Sequence, residues 1–256
     1  MHVAVHGAGP SLLLVHGSAA DADAWSIQRT ALGNRFRVIT YDRRGTSRSP
    51  LPAGVTTYSV GEHADDAARV IEEHGAGPLV AVGSSFGGVV VLELARRRPD
   101  LLRGAVLCEP PLPPSDDGPS VPDSFRTEFH RRRREQGGPA AGEHFLRTVL
   151  GDAAFEKIPR AWRDRACNLH EQIALDSDAL AAYRVGYATL GEVHVPILLL
   201  GGDRSAAYFE PTLAALAAAL PAARRVTLRG AGHMMHADAA RQFHAELAAF
   251  ADPIRT

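Results

Sequence analysis

Cysteine is scarce in this chain: Cys108 and Cys167 are the only two in 256 residues. Two cysteines make no disulfide framework, and neither has metal-ligand spacing with another. Cys108 ends the apolar run Ala105-Val106-Leu107-Cys108 and is expected to behave as a small buried hydrophobe. Twelve histidines are present, yet no His-Glu-x-x-His pattern or Cys/His cluster occurs, so no metal is assigned. An excess of charge of either sign is also missing: 28 basic against 29 acidic residues give a formal net charge of -1. That balance argues against a nucleic-acid or membrane-surface partner. No apolar run approaches the roughly 18 residues of a membrane span. The start, Met1-His2-Val3-Ala4-Val5, lacks the basic and long apolar regions of a signal peptide, which leads to an expected cytoplasmic location. No internal repeat is visible, and oligomeric state is not legible.

What is present is an alternation of strand and helix patterns. Leu12-Leu13-Leu14-Val15, Leu79 to Val82 and Pro196 to Leu200 are short, nearly continuous apolar runs bounded by turn residues, and Phe36 to Tyr41, Arg103 to Cys108 and Arg224 to Leu228 read as further strands. Such runs suit a parallel sheet covered on both faces. His2 to His6 is expected as an edge strand. Helical patterns fall between the strands: one from near Asp23 with Trp25, Ile27 and Leu32 inward, one over Val60 to Glu73 with Ala64, Ala67, Ala68 and Ile71 inward, then Val89 to Ala95, Pro211 to Leu220 and Ala237 to Phe250. The fold class is therefore α/β, a mostly parallel sheet with helices on both faces.

Composition changes after Glu109-Pro110-Pro111. Leu112 to Pro122 reads as a linker, and Ser124 to Glu135, Glu143 to Leu150 and Ala161 to Leu175 look helical, with no strand pattern before Tyr187. A segment this long is an insertion with its own structure. The expected division is a core of residues 1–111 and 191–256 around a helical cap with its linker, residues 112–190. The run Arg131 to Arg134 is flanked by Glu128 and Glu135 and reads as a solvated helix face.

Gly83-Ser84-Ser85-Phe86-Gly87-Gly88 lies between an apolar strand and a helical stretch. In that context Gly-x-Ser-x-Gly is a nucleophile elbow with Ser85 at its tip. A serine hydroxyl is a weak nucleophile until a base takes its proton, and imidazole suits that near neutral pH. His233, in Gly230-Ala231-Gly232-His233 after the last strand, is the expected base; His236 is placed at the start of the last helix.

Together with the turn His16-Gly17 and the loop Asp42 to Ser49, these landmarks resemble the α/β-hydrolase family over nearly the whole chain. The resemblance implies a nucleophile–acid–histidine triad in that chain order, a cap after the family's sixth strand, and an oxyanion hole from two backbone N–H groups, here those of Ser18 and Phe86. Each such donor is worth about 3 kcal/mol in a transition state. His16 would shape the oxyanion loop, and Asp42 and Arg43 would tie down their own loop. The family's usual acid position, three residues after Gly202, holds Ser205. Two carboxylates remain: Glu109, favoured because it ends a strand beside the elbow strand, and Asp203. In taking a glutamate there, the chain resembles the zearalenone lactonase-like subgroup. Trp162 and Met234 are candidate apolar lining for a small-molecule substrate.

The expected activity is a cofactor-independent serine hydrolase acting on an ester or lactone of a modest-sized, largely apolar molecule. The same fold also carries lyases, cyclases, carbon–carbon bond cleavage and ligand receptors.

Overall fold

The computed structural model describes residues 1–252. Seven strands form one sheet: β1 (Val3–His6), β2 (Ser11–Val15), β3 (Arg37–Tyr41), β4 (Leu79–Ser84), β5 (Leu102–Cys108), β6 (Ile197–Gly202) and β7 (Ala223–Leu228). Their order is β1-β3-β2-β4-β5-β6-β7; β1 is antiparallel to β3 and every other pair is parallel. The strand that the resemblance counts as the sixth is β5 in this order.

Side chains alternate faithfully across the sheet. Leu13, Val15, Ile39, Ala81, Leu107 and Leu199 face one apolar layer. It also contains residues of α2 (Val60–His74), α3 (Phe86–Arg97) and α9 (Phe209–Ala219). Leu12, Leu14, Val38, Val82, Val106 and Leu200 face the other layer, with α1 (Ser26–Leu32) and α11 (Ala240–Ala251). Cys108 sits in this second layer as the small hydrophobe expected. Burial on both faces explains why the central strands β2, β4 and β6 read as nearly continuous apolar runs, whereas the edge strands β1 and β7 are partly exposed. Helix α2 starts on a capping box, with Ser59 and Glu62 each accepting from the other's backbone N–H.

The helical patterns hold in outline and shift in register. Trp25 forms part of a 3-10 turn before α1, so α1 begins at Ser26 and turns Gln28 inward; Ile27, expected inside, is 50% exposed. Gln28 is accommodated because its amide donates to the His236 carbonyl. The stretch expected as one helix to Phe250 divides at Ala239 into α10 (Met235–Asp238) and α11.

Between β5 and β6 lie five α-helices, α4 (Asp123–Glu135), α5 (Gly138–Leu150), α6 (Asp152–Lys157), α7 (Arg160–Asn168) and α8 (His170–Ala182), followed by a 3-10 turn over Tyr187–Glu192. The single helix expected over Ala161 to Leu175 is two, broken at Leu169. Helices α5 and α7 approach closely at Gly142, where a Cβ would lie 2.3 Å from the Cys167 carbonyl oxygen. The insertion has its own small core of Phe129, Ala141, Leu146, Phe155, Cys167, Ile173 and Ala174. No helix among the described residues is long and apolar enough to cross a membrane.

Candidate active site

β4 ends and α3 begins without a connecting loop, so one residue must reverse the chain. That residue is Ser85, at φ 53°, ψ -123°. A side chain rarely adopts such a backbone, and the surroundings hold it there. The Ser85 N–H donates to the Cys108 carbonyl at 2.8 Å, and its own carbonyl accepts from Gly88 N–H at 2.8 Å. The tight turn leaves no room at Gly83, whose Cβ would stand 2.1 Å from the Gly87 carbonyl oxygen. The loop after β2 packs against the elbow: a Cβ on Gly17 would lie 3.0 Å from the Ser85 Cβ. The Ser85 hydroxyl makes no hydrogen bond to any described residue, His233 included.

Glu109 follows β5 directly, again at positive φ (45°), and precedes Pro110-Pro111. Its N–H donates to the Leu200 carbonyl at 3.1 Å, anchoring it to the neighbouring strand. One carboxylate oxygen accepts from Gly202 N–H at 2.8 Å; the other is 2.7 Å from His233 Nδ1. With Nδ1–H directed at the carboxylate, the lone pair of the ring is on Nε2. The ring also stacks on Phe209, with centroids 4.4 Å apart and planes 8° from parallel. Glu109 and His233 are both buried.

The other carboxylate is elsewhere. Asp203 accepts from Gly230 N–H at 2.7 Å, which fixes the start of the histidine loop and leaves the ring to Glu109. Ser205, at the usual acid position, has a buried hydroxyl without a partner among the described residues. The N–H groups of Ser18 and Phe86 donate to no described residue. At Phe86 this follows from its place at the first turn of α3, where backbone donors have no partner within the helix. Met234 is half-buried beside His233. Trp162 does not join the group: it is 45% exposed on α7, with the Arg165 guanidinium 5.9 Å from its ring centroid. Phe209 carried no signal in the sequence, since an aromatic at the start of an Ala-rich helix reads as core packing. Among the described residues no cluster of three His, Cys, Asp or Glu could hold a metal ion.

The loop Asp42 to Ser49 supports the site from behind. Asp42 accepts from Ala22 N–H and from Arg48, and although burial alone would raise it, these bonds hold its carboxyl down to about 2. His16 Nε2 accepts from Arg43 N–H at 3.0 Å, so Nδ1 carries the proton toward the Gly17 carbonyl. Burial, with the Arg43 charge adding to it, pushes His16 down to about 3. His236, in α10, is pushed down to about 4 by burial and by neighbouring His233. Burial, Arg43 and Arg44 lower His63 well below its ordinary value.

These three histidines are neutral when folded and regain a value near 6.5 when unfolded. Below about pH 6.5 the unfolded chain therefore binds more protons, and stability falls as pH falls toward the folded values. Each histidine contributes up to ~1.4 kcal/mol per pH unit. Urea midpoints at pH 7.0 and 5.5 check this: the lower pH should give the clearly lower midpoint, before most carboxylates titrate. Equal midpoints would contradict the buried neutral assignment.

Comparison with known proteins agrees with the fold. The sequence model of the alpha/beta hydrolase family matches residues 12–246. The chain therefore belongs to the alpha/beta hydrolase family. It is 41% identical over 112 residues to the uncharacterized hydrolase YraK of Bacillus subtilis, covering 44% of this chain and 41% of that protein. It is 29% identical over 259 residues to the putative carbamate hydrolase RutD of Pseudomonas syringae pv. syringae, covering 97% and 96%. The chain spans about two fifths of the length of the first curated relatives it matches. A thermophilic esterase from Thermogutta terrifontis superposes with a TM-score of 0.82 at 25% identity, over 99% of this chain and 93% of that one. By name these proteins agree at the level of hydrolase and differ over the bond cleaved.

Proposed function

We propose that the protein is a cofactor-independent serine hydrolase that opens an ester or lactone of a modest-sized, largely apolar molecule through an acyl-enzyme. The observation that carries this reading is the Glu109 carboxylate, 2.7 Å from His233 Nδ1 and pinned on its other side by Gly202 N–H. That arrangement fixes the tautomer in which Nε2 accepts a proton. In the proposed sequence Ser85 attacks the carbonyl as His233 takes its proton, and the Ser18 and Phe86 N–H groups receive the oxyanion. His233 then protonates the leaving group, and water repeats the cycle on the acyl-enzyme. Glu109 orients the ring and stabilises the imidazolium throughout. Every proton has a group of this chain to receive it.

The Phe209 ring over His233 and the half-buried Met234 support an apolar substrate. Carbamates are the nearest competing class, given the full-length relative named as a putative carbamate hydrolase. The test is a panel of p-nitrophenyl esters, aromatic lactones and carbamates in oxygen-18 water, with mass analysis of the quenched enzyme. The expected result is one labelled oxygen in the acid product and an acyl adduct on the Ser85 peptide, with esters or lactones turned over fastest. Carbamates as the preferred class would overturn the bond assignment; turnover without an adduct on Ser85 would overturn the serine mechanism.

A further inference from the structure

Asp176 lies on α8, more than 90 residues beyond the elbow in sequence, and is almost fully buried. Its two oxygens accept four hydrogen bonds from the core. Arg43 donates to both, at 3.0 and 2.8 Å; Tyr58 donates from its hydroxyl at 2.7 Å; Ser18 donates from its hydroxyl at 2.7 Å. Arg43 is itself fully buried, and the same guanidinium donates to the His16 carbonyl at 3.0 Å and the Gly17 carbonyl at 3.1 Å. Its carbon lies 4.4 Å from the centroid of the Phe86 ring. Burial would lower the Arg43 pKa, but Asp176 holds it raised.

The residues after Ser18 are also held by the insertion. Ala19, at a left-handed φ of 56°, is packed in the core of α4 to α8. The carbonyl of Ala20 accepts from Gln172 of α8, whose amide also donates to Thr46 at 2.7 Å. Residues 16 to 20 are thus gripped by α8 on one side and by Arg43 on the other. A loop with a strained residue keeps its conformation only where its surroundings over-determine it.

We propose that Asp176 is a positioning residue of the reaction: through Ser18 and Arg43 it fixes the loop that presents the Ser18 N–H to the oxyanion, so that helix α8 sets the geometry of the catalytic centre. The proposal rests on the reading that the Ser18 and Phe86 N–H groups hold the oxyanion. A displacement of about 1 Å in such a group can cost about a hundredfold in rate. Asp176 would act in the transition state without touching the substrate.

The test combines kinetics with hydrogen–deuterium exchange over residues 16–20 in Ser18→Ala, Tyr58→Phe and Asp176→Asn proteins. Ser18→Ala removes the hydroxyl tether and keeps the backbone donor. It should lower kcat about tenfold with KM within about threefold, and speed loop exchange. Asp176→Asn should lower kcat about a hundredfold with the same small KM change. The double variant should lose much less than the product of the two, since both cut one tether. If Asp176→Asn does not fold, Ser18→Ala and Tyr58→Phe carry the same comparison, because neither leaves a buried charge unpaired. Unchanged kcat and unchanged exchange in Ser18→Ala would overturn the proposal while ester turnover by the wild type stands. Faster loop exchange in a protein whose wild type turns over no ester, lactone or carbamate would sink the hydrolytic reading of the site and support the tether.

Discussion

Ser85→Ala is expected to lower kcat on the preferred ester by about a millionfold while leaving the fold in place. The size follows from the division of labour at the elbow. On the proposed mechanism no acyl-enzyme forms without Oγ, and what would remain is the contribution of the oxyanion donors and of binding, about 10³ to 10⁴ over water. The Ser85 hydroxyl makes no hydrogen bond to any described residue, so its removal leaves none of them with an unsatisfied buried partner. The Cβ that meets Gly17 stays, and alanine at φ 53° carries about the same backbone cost as serine. Thermal unfolding should therefore change by only a few degrees. His233→Ala should cost a similar factor, and the double variant scarcely more, since the pair acts as one unit. Ser85→Ala activity within about tenfold of wild type would remove Ser85 from the nucleophile's place.

How far the sequence could be read depends on whether the signal is local. The central strands were legible because a sheet buried on both faces makes apolar runs, and the elbow because it sits at a strand-to-helix junction with glycines where no Cβ fits. Glu109 could be nominated from its position at a strand end, but its choice over Asp203 needed the fold: both lie just after strands, and only the three-dimensional path brings one to the His233 ring. Ile27, expected inward, lies outward because α1 begins later than the sequence pattern suggests. The face a helix buries depends on where it begins, and the 3-10 turn over Ala22 to Trp25 moves the start of α1 from near Asp23 to Ser26. Asp176 had no readable signal at all. A lone acidic residue in an insertion helix looks solvated until Arg43, Tyr58 and Ser18 are seen to converge on it from three distant stretches. Arg43 was expected to serve only its own loop, and it reaches the insertion as well.

The second large effect distinguishes the two carboxylates in solution. Glu109→Gln is expected to lower kcat by about 10⁴, and Asp203→Asn by less than about threefold. The Gly202 N–H decides how the new amide sits. It can only donate, so it holds the glutamine carbonyl oxygen where it now holds Glu109 Oε1, and the amide NH₂ is turned toward His233 Nδ1. Two donors cannot face each other, so the imidazole moves its proton to Nε2 and loses the lone pair that would take the Ser85 proton. The charge that would stabilise the imidazolium is lost as well. Asp203→Asn keeps an oxygen for the Gly230 N–H, so the histidine loop keeps its anchor and the His233–Glu109 pair is untouched. Steady-state kinetics on one ester, with urea unfolding of both variants, makes the comparison. A larger loss in Asp203→Asn than in Glu109→Gln, with both proteins folded, would transfer the acid to the β6 loop and leave Glu109 a structural residue.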